Sequence, residues 1–235
     1  MGYSITYNNK SNDELDIEVI KRPVIPIAIR RFKTIEIEGH DGNYYIDEET
    51  YEDITFSIEF NFVEDNVNNI RNRVRKIKRW IENAKDNKLR LSDNKGYYYR
   101  VCKAEISEFT YGDIYEIQSF SVNFTVEPYQ YISDNEELTL STTMYNNWDI
   151  CQPTYRIVGN GNCILNVNGN IVNCTVNGQL TIDTAHDKIL NSDKTLAIGK
   201  TDIKKMQNLY LQEEENTFSW TSGFTIYIIP NWRSL

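Results

Sequence analysis

Residues 54–62 place Phe56, Ile58, Phe60 and Phe62 on one side of an extended chain and Thr55, Ser57, Glu59 and Asn61 on the other. Period-two alternation of this kind fits a strand with one buried face and excludes an amphipathic helix. Residues 118–126 repeat it, with Phe120, Val122, Phe124 and Val126 against Ser119, Ser121, Asn123 and Thr125. Two strands with such faces need an apolar cover, and the stretch between them supplies one. Val67, Ile70, Val74, Ile77, Ile81 and Ala84 step by three and four, an arc of about 100° on a helical wheel. The spacing predicts one helix over about residues 66–85, capped by Asp65 or Asn66. Its stripe should pack on a phenylalanine face, with Trp80 at the margin of the contact.

Shorter strands are expected around Ile5, residues 17–20, 34–37 and 89–91, and residues 97–104. The last alternating strand of this first region should stop at Pro128, because proline cannot donate to a ladder. A polar link, residues 133–137, follows. Beyond it helix signals are scarce. Gly159-Asn160-Gly161, Asn168-Gly169, Asn177-Gly178 and Ser222-Gly223 read as turns separating short strands,. Short strands at that spacing predict a β-sandwich. The organisation is thus mainly β with one helix: an α+β domain over residues 1–132 and a β-sandwich over residues 133–235.

The 235-residue chain carries 34 acidic against 25 basic residues, a formal charge of −9. An acidic chain is repelled by phosphate backbones and anionic lipid, so sequence-specific nucleic-acid binding and membrane-surface roles are disfavoured. No apolar run approaches the roughly 18 residues that span a bilayer. The first twenty residues hold no signal-type apolar core, which predicts synthesis and folding in a cytoplasm. Cys102, Cys151, Cys163 and Cys174 are isolated and read as small buried hydrophobes. Cys163 and Cys174 flank Asn168-Gly169 symmetrically, so a disulfide across a hairpin is the alternative.

Chemistry-bearing motifs are sparse. The chain has only two histidines, no Gly-x-Ser-x-Gly elbow, and neither Gly-rich phosphate motif,. No catalytic residue, cofactor or metal site is expected. Asp183 and His186 lie close in sequence but fall short of a ligand set, and a strand-end turn explains them. Gly39-His40-Asp41-Gly42 reads as a tight turn. Arg71, Arg73, Arg75, Lys76, Lys78 and Arg79 fall within nine residues with no acid between them. That run admits three readings: a docking face for an acidic surface, including another copy of this chain; a nucleic-acid contact; or a solvated helix face. Sixteen tyrosines and four tryptophans suit strands and protein interfaces, or a lectin-like module that stacks sugars.

The order of particular residues resembles the distal tail protein (Dit) family of long-tailed phages and prophages of Gram-positive bacteria. Lys21-Arg22-Pro23-Val24-Ile25-Pro26 is similar to the family's Arg-Pro turn, and Gly39-His40-Asp41-Gly42 to its Pro-Gly-Arg-Asp-Gly turn. His40 stands where the family has arginine, and Glu38 where it has proline. Tyr51-Glu52-Asp53, the single helix ending near Trp80, Leu89-Arg90-Leu91, Tyr97-Tyr98-Tyr99 and Val126-Glu127-Pro128-Tyr129 follow in family order. So do Asn146-Asn147-Trp148, Pro153-Thr154-Tyr155-Arg156-Ile157, Leu180-Thr181-Ile182-Asp183-Thr184 and Ile229-Pro230-Asn231-Trp232-Arg233. Residues 188–215 depart most, lacking the family's Gly-rich stretch.

The resemblance implies a split-barrel-like first domain, a galectin-like sandwich, and structural work without catalysis. The family forms a homohexameric hub ring at the virion tail tip. It joins the tail tube protein to tail-hub (tail-associated) proteins and to receptor-binding or baseplate proteins, and encloses a channel for DNA. Six copies at −9 carry −54, and acid lining such a channel would let DNA slide without sticking. The basic helix would then belong at a contact with an acidic neighbour. Expected interface residues are Pro23, Arg30, Arg31, Asp41, Gly42, Arg75 and Lys78, with Ile27, Ile29, Phe32, Ile35 and Ile37 inside residues 23–42. The alternative function is a carbohydrate-binding module that contacts host cell-wall glycans through exposed Tyr and Trp of the sandwich.

Overall fold

The computed structural model describes residues 2–64, 66–107, 109–111 and 117–235. The chain divides into two compact units, residues 1–130 with Leu235, and residues 131–234. Unit one contains β1 (Ile5–Tyr7), β2 (Lys10–Ser11), β3 (Glu18–Val19), β4 (Arg30–Glu36), β5 (Asn43–Tyr51), β6 (Ile54–Val63), α1 (Val67–Glu82), β7 (Lys88–Leu91), β8 (Tyr97–Ile106), β9 (Thr110–Tyr111) and most of β10 (Ile117–Ile132). Its main sheet runs β2-β1-β7-β8-β10-β6-β3. β4 and β5 stand apart from it as a separate two-stranded hairpin.

The two alternating strands pair directly. β6 and β10 lie antiparallel over ten rungs, with Phe56 opposite Phe124, Ile58 opposite Val122 and Phe60 opposite Phe120. The Phe60 and Phe120 rings stack 5.1 Å apart. Because side chains alternate faces, this register puts Phe56, Ile58, Phe60, Phe62, Phe120, Val122, Phe124 and Val126 on one side,. Helix α1 covers that side with Ile70, Ile77, Trp80 and Ile81, all buried. Trp80 sits in the core and not at its margin. Its ring meets Phe60 edge-on, and its Nε1–H donates to the Tyr7 carbonyl at 2.7 Å. β1 thus supplies the acceptor that lets the indole be buried.

The helix starts at Val67, where the Asn66 carbonyl accepts the Ile70 N–H at 3.0 Å. Asp65, the other candidate cap, lies outside the described residues, as does the side chain of Val67. The helix stops three residues short of the sequence estimate of 85 because of a contact from a distant part of the chain. Asn8, at the β1–β2 turn, donates its Nδ2–H to the Trp80 carbonyl and accepts the Lys85 N–H on Oδ1. These bonds occupy groups that another helical turn would need. Buried Asn12 ties the same corner, accepting the Ile5 N–H and donating to the Ile17 carbonyl, both at 2.7 Å.

Pro128 does not end its strand. β10 runs on to Ile132. The last rung with β6 is Val126 opposite Ile54, so Pro128 lies past the point where that neighbour demands a donor,.

Unit two contains the end of β10, then β11 (Leu138–Thr139), β12 (Thr143–Asn146), β13 (Thr154–Val167), β14 (Asn170–Asp183), β15 (Lys188–Asn191), β16 (Glu214–Trp220), β17 (Thr225–Ile229) and β18 (Arg233–Ser234). Two of the expected turns are absent. Gly159-Asn160-Gly161 and Asn177-Gly178 lie within strands, opposite one another in a fourteen-rung hairpin that turns only at Asn168-Gly169. The glycines mark a change of neighbour instead. Before them β13 pairs with β17; after them it pairs with β16. One long hairpin therefore runs through the seven-stranded sheet of this unit, with β17 beside one end of β13 and β16 beside the other, and its glycines take positive φ at the change of neighbour,. At Gly159 the Phe224 ring occupies the place of a side chain, since a Cβ there would lie 2.4 Å from its Cδ1.

Cys163 and Cys174 are cross-strand partners and both are buried free thiols. Burial pushes the Cys174 thiol up to about 12 and Cys151 up to about 11. Thiols that stay protonated in the fold but ionise near 9 when unfolded favour the fold fully below pH 9. That advantage fades above it. Equilibrium denaturation is therefore expected to show stability falling from about pH 9 to 11, and the fall should be smaller in Cys174→Ala. Phe60→Ala, which removes the stacked ring under α1, should cost about 3–5 kcal/mol in urea unfolding.

Candidate assembly interface

Among the described residues, two surfaces of unit one are left uncovered. The first is the β4–β5 hairpin. Every residue of β4, and of β5 up to Thr50, is exposed. Its register places Phe32, Thr34, Glu36, Asn43, Tyr45 and Asp47 on one face, and Lys33, Ile35, Tyr44 and Ile46 on the other. Neither face is polar throughout, so neither is a solvent face in the usual sense. Tyr44 and Tyr45 are each 61% exposed, and Ile27, on the strand-like lead-in, is 89% exposed. Exposed apolar groups gathered in one element mark an interaction site.

The arm is rooted firmly. Pro23 is buried, and Ile25 and Ala28 pack on the core. Asp93 holds the root, accepting from the Tyr3 hydroxyl at 2.9 Å and pairing with Arg22 at 2.5 Å. Burial, then the hydrogen bond to Asp93, push the Tyr3 phenol upward. At the base of the hairpin Arg30 pairs with Asp47 at 2.9 Å and lies over the Tyr51 ring. Arg31 sits at an irregularity in the register and is exposed. Gly39 and Gly42 take positive φ at the tip, where the Asp41 carbonyl meets His40 Nδ1 at 2.9 Å.

The second surface is the outer face of α1. Arg71, Arg75, Lys76, Lys78 and Arg79 are exposed there. Among the described residues none of the five forms an ion pair; Arg75 bonds only Asn72, within the helix. Arg73 behaves differently. Its guanidinium turns inward, donates to the carbonyls of Leu15 and Asp16 at 3.1 and 2.7 Å, and lies 5.2 Å from the Phe62 ring centroid. Asp16 and Glu64 flank it at 3.6 and 3.7 Å. Only a position on the strand-facing edge of the helix reaches those carbonyls, so one cation of six serves the fold. An open groove of about 580 Å³ runs beside the helix, with Arg75, Lys76 and Arg79 on one wall and Glu14, Asp16 and Glu64 on the other.

The seven interface residues expected from sequence fall into two sets. Pro23, Arg30, Arg31, Asp41 and Gly42 lie along one arm from root to tip. Arg75 and Lys78 lie on the helix. Among the described residues no hydrogen bond or ion pair joins the sets within one chain. Sequence reading missed Tyr44, Tyr45 and Ile46, which complete the apolar rows of the arm. The available signal was the absence of a single clean apolar face in residues 30–51.

Elsewhere, Asp183 forms a strand-end turn, accepting the N–H groups of Ala185 and His186 and bonding His186 Nδ1 at 2.8 Å. Among the described residues no cluster of three or more His, Cys, Asp or Glu could hold a metal, and no helix is long and apolar enough to cross a membrane. Replacing Arg73 by Ala should lower stability by about 1.5–3 kcal/mol in thermal unfolding, through its orphaned carbonyl partners. Arg75→Ala should leave the midpoint unchanged.

Comparison with solved structures places the whole chain on a known fold. It is similar to the Dit protein of phage SPP1, described as a paradigm of the hub adsorption apparatus in phages that infect Gram-positive hosts. The TM-score is 0.68 at 15% identity, over 100% of this chain and 99% of that one. It is also similar to a chain of the phage P2 baseplate in its activated conformation with Ca, with TM-score 0.51 and 8% identity, over 99% and 97%. No curated protein matches the chain. Residues 7–126, just over half the sequence, match the family described as the phage tail protein RIFT-related domain, Sipho_tail. The resemblance read from the sequence motifs agrees with these matches. The chain belongs to that phage tail protein family.

Proposed function

We propose that this chain is a non-catalytic structural component of a phage tail tip, a hub ring of six copies. In this reading it joins the tail tube to the receptor-binding or baseplate proteins and leaves a channel for DNA. The observation that carries it is the rooted β4–β5 arm, which exposes apolar rows on both faces in a chain whose first unit belongs to a phage tail family. A lone two-stranded hairpin is marginally stable in water, so an arm of this kind gains its order from a neighbour. Charge supports the same reading. A surplus of acid lining a channel would repel the DNA backbone and prevent sticking.

The hub and baseplate descriptions of the two structural relatives fit such a role. A sugar-binding reading of unit two finds less support. Among its described residues one large aromatic, Tyr145, is well exposed, whereas Trp148, Trp220 and Trp232 are half-buried. Stacking on a glycan chain calls for several such rings on one face.

Light scattering coupled to gel filtration tests the ring. Six chains of 27.6 kDa give 165.6 kDa. A mass near that value is expected. A mass of one chain that persists up to the solubility limit, together with glycan binding by the full chain, would replace this reading with the carbohydrate-binding one.

A further inference from the structure

The two unpartnered surfaces of unit one are chemically complementary. The distal half of the arm, residues 34–46, carries Glu36, Glu38 and Asp41 and no lysine or arginine. None of the three carboxylates has an ion-pair partner among the described residues. The outer face of α1 carries five exposed cations, equally unpaired. Arg71, Arg75 and Lys78 recur at helical spacing along one stripe of about 10.5 Å, with Arg79 beside them. An acidic tip thus has, on the same unit, an unpaired basic face as its complement.

We infer that the tip of the β4–β5 arm of one copy docks on the outer face of α1 in the next copy. The inference rests on the ring reading above and adds which surface receives the arm. Within one chain the arm stays off the helix, since both are exposed and unbonded to each other. The occupant must therefore come from a second molecule. Each copy then gives an arm and receives one, a heterologous contact that can repeat around a closed ring. Arg75 and Lys78 face Glu36 and Glu38 across the contact. Pairing of these opposite charges steers one copy onto the next and fixes the register of the contact.

A photo-crosslinking residue placed at Ile37 of the full-length protein tests this directly, with the joined peptides identified by mass spectrometry. Crosslinks to residues 63–82 of another copy are expected. Crosslinks to another copy only outside that stretch would overturn the docking and leave the ring intact. A persistent monomer without intermolecular crosslinks would overturn the ring and the docking together. Charge reversal supplies an independent check that a folding defect cannot mimic. The pair Arg75→Glu and Lys78→Glu should weaken assembly about tenfold at low salt, and adding Glu36→Lys and Glu38→Lys should restore it. Unchanged assembly in the helix variant, or no rescue in the combined one, counts against the docking.

Discussion

The ten-rung ladder between β6 and β10 fixes everything else in the first unit. Its register aligns Phe56, Phe60, Phe120 and Phe124 on one face, and only a helix with a matching stripe covers that face without leaving voids. Once Ile77, Trp80 and Ile81 turn toward the rings, the rotation of α1 about its axis is set. The five cations that lie opposite are then held outward. The same ladder locates the arm, because β6 begins at Ile54, three residues after β5 ends at Tyr51. A buried aromatic contact therefore decides where both the acidic tip and the basic face are displayed.

The arm carries open edges that a soluble monomer would have reason to avoid. Two strands with uncovered faces and uncovered edges invite pairing with other chains. Here the exposed rows are interleaved with charge, Lys33 beside Ile35 and Asp47 beside Tyr45, which discourages indiscriminate stacking while leaving a directed contact available. The root shows the opposite chemistry. Pro23 is buried, Asp93 is satisfied by both Arg22 and Tyr3, and Arg30 is closed onto Asp47 and Tyr51. Order is concentrated where the arm leaves the core, so the tip is presented from a fixed base.

Much of this fold was legible in the sequence because its signals are local and periodic. The two alternating strands, the single helix and its apolar stripe follow from spacing alone. The errors arose where a distant group decided the outcome. Asn8 shortens the helix from 75 residues away, and Trp80 is buried because Tyr7 offers a carbonyl. Gly159, Gly161 and Gly178 read as turns because glycine marks any positive φ, whether at a hairpin end or at a mid-strand bend. Arg73 was indistinguishable from its five neighbours by composition; only the path of residues 15–16 singles it out. The arm was half seen, since Ile35 and Ile37 attract notice, but the pairing that adds Tyr44 and Ile46 is a tertiary fact.

Charge connects the architecture to its proposed work. A chain of net −9 that scattered its cations evenly would repel its own copies on every side. In the proposed docking, five cations gathered on one helix, with lysine and arginine kept out of residues 34–46, convert general repulsion into one permitted orientation. Acid elsewhere suppresses wrong contacts, because like charges brought together are costly. A donor surface and an acceptor surface on one rigid unit are also the minimum that a closed ring of identical copies requires. In the proposed docking the first unit supplies both, from its separate β4–β5 hairpin and its helix, while the second unit builds its own core around the β13–β14 hairpin.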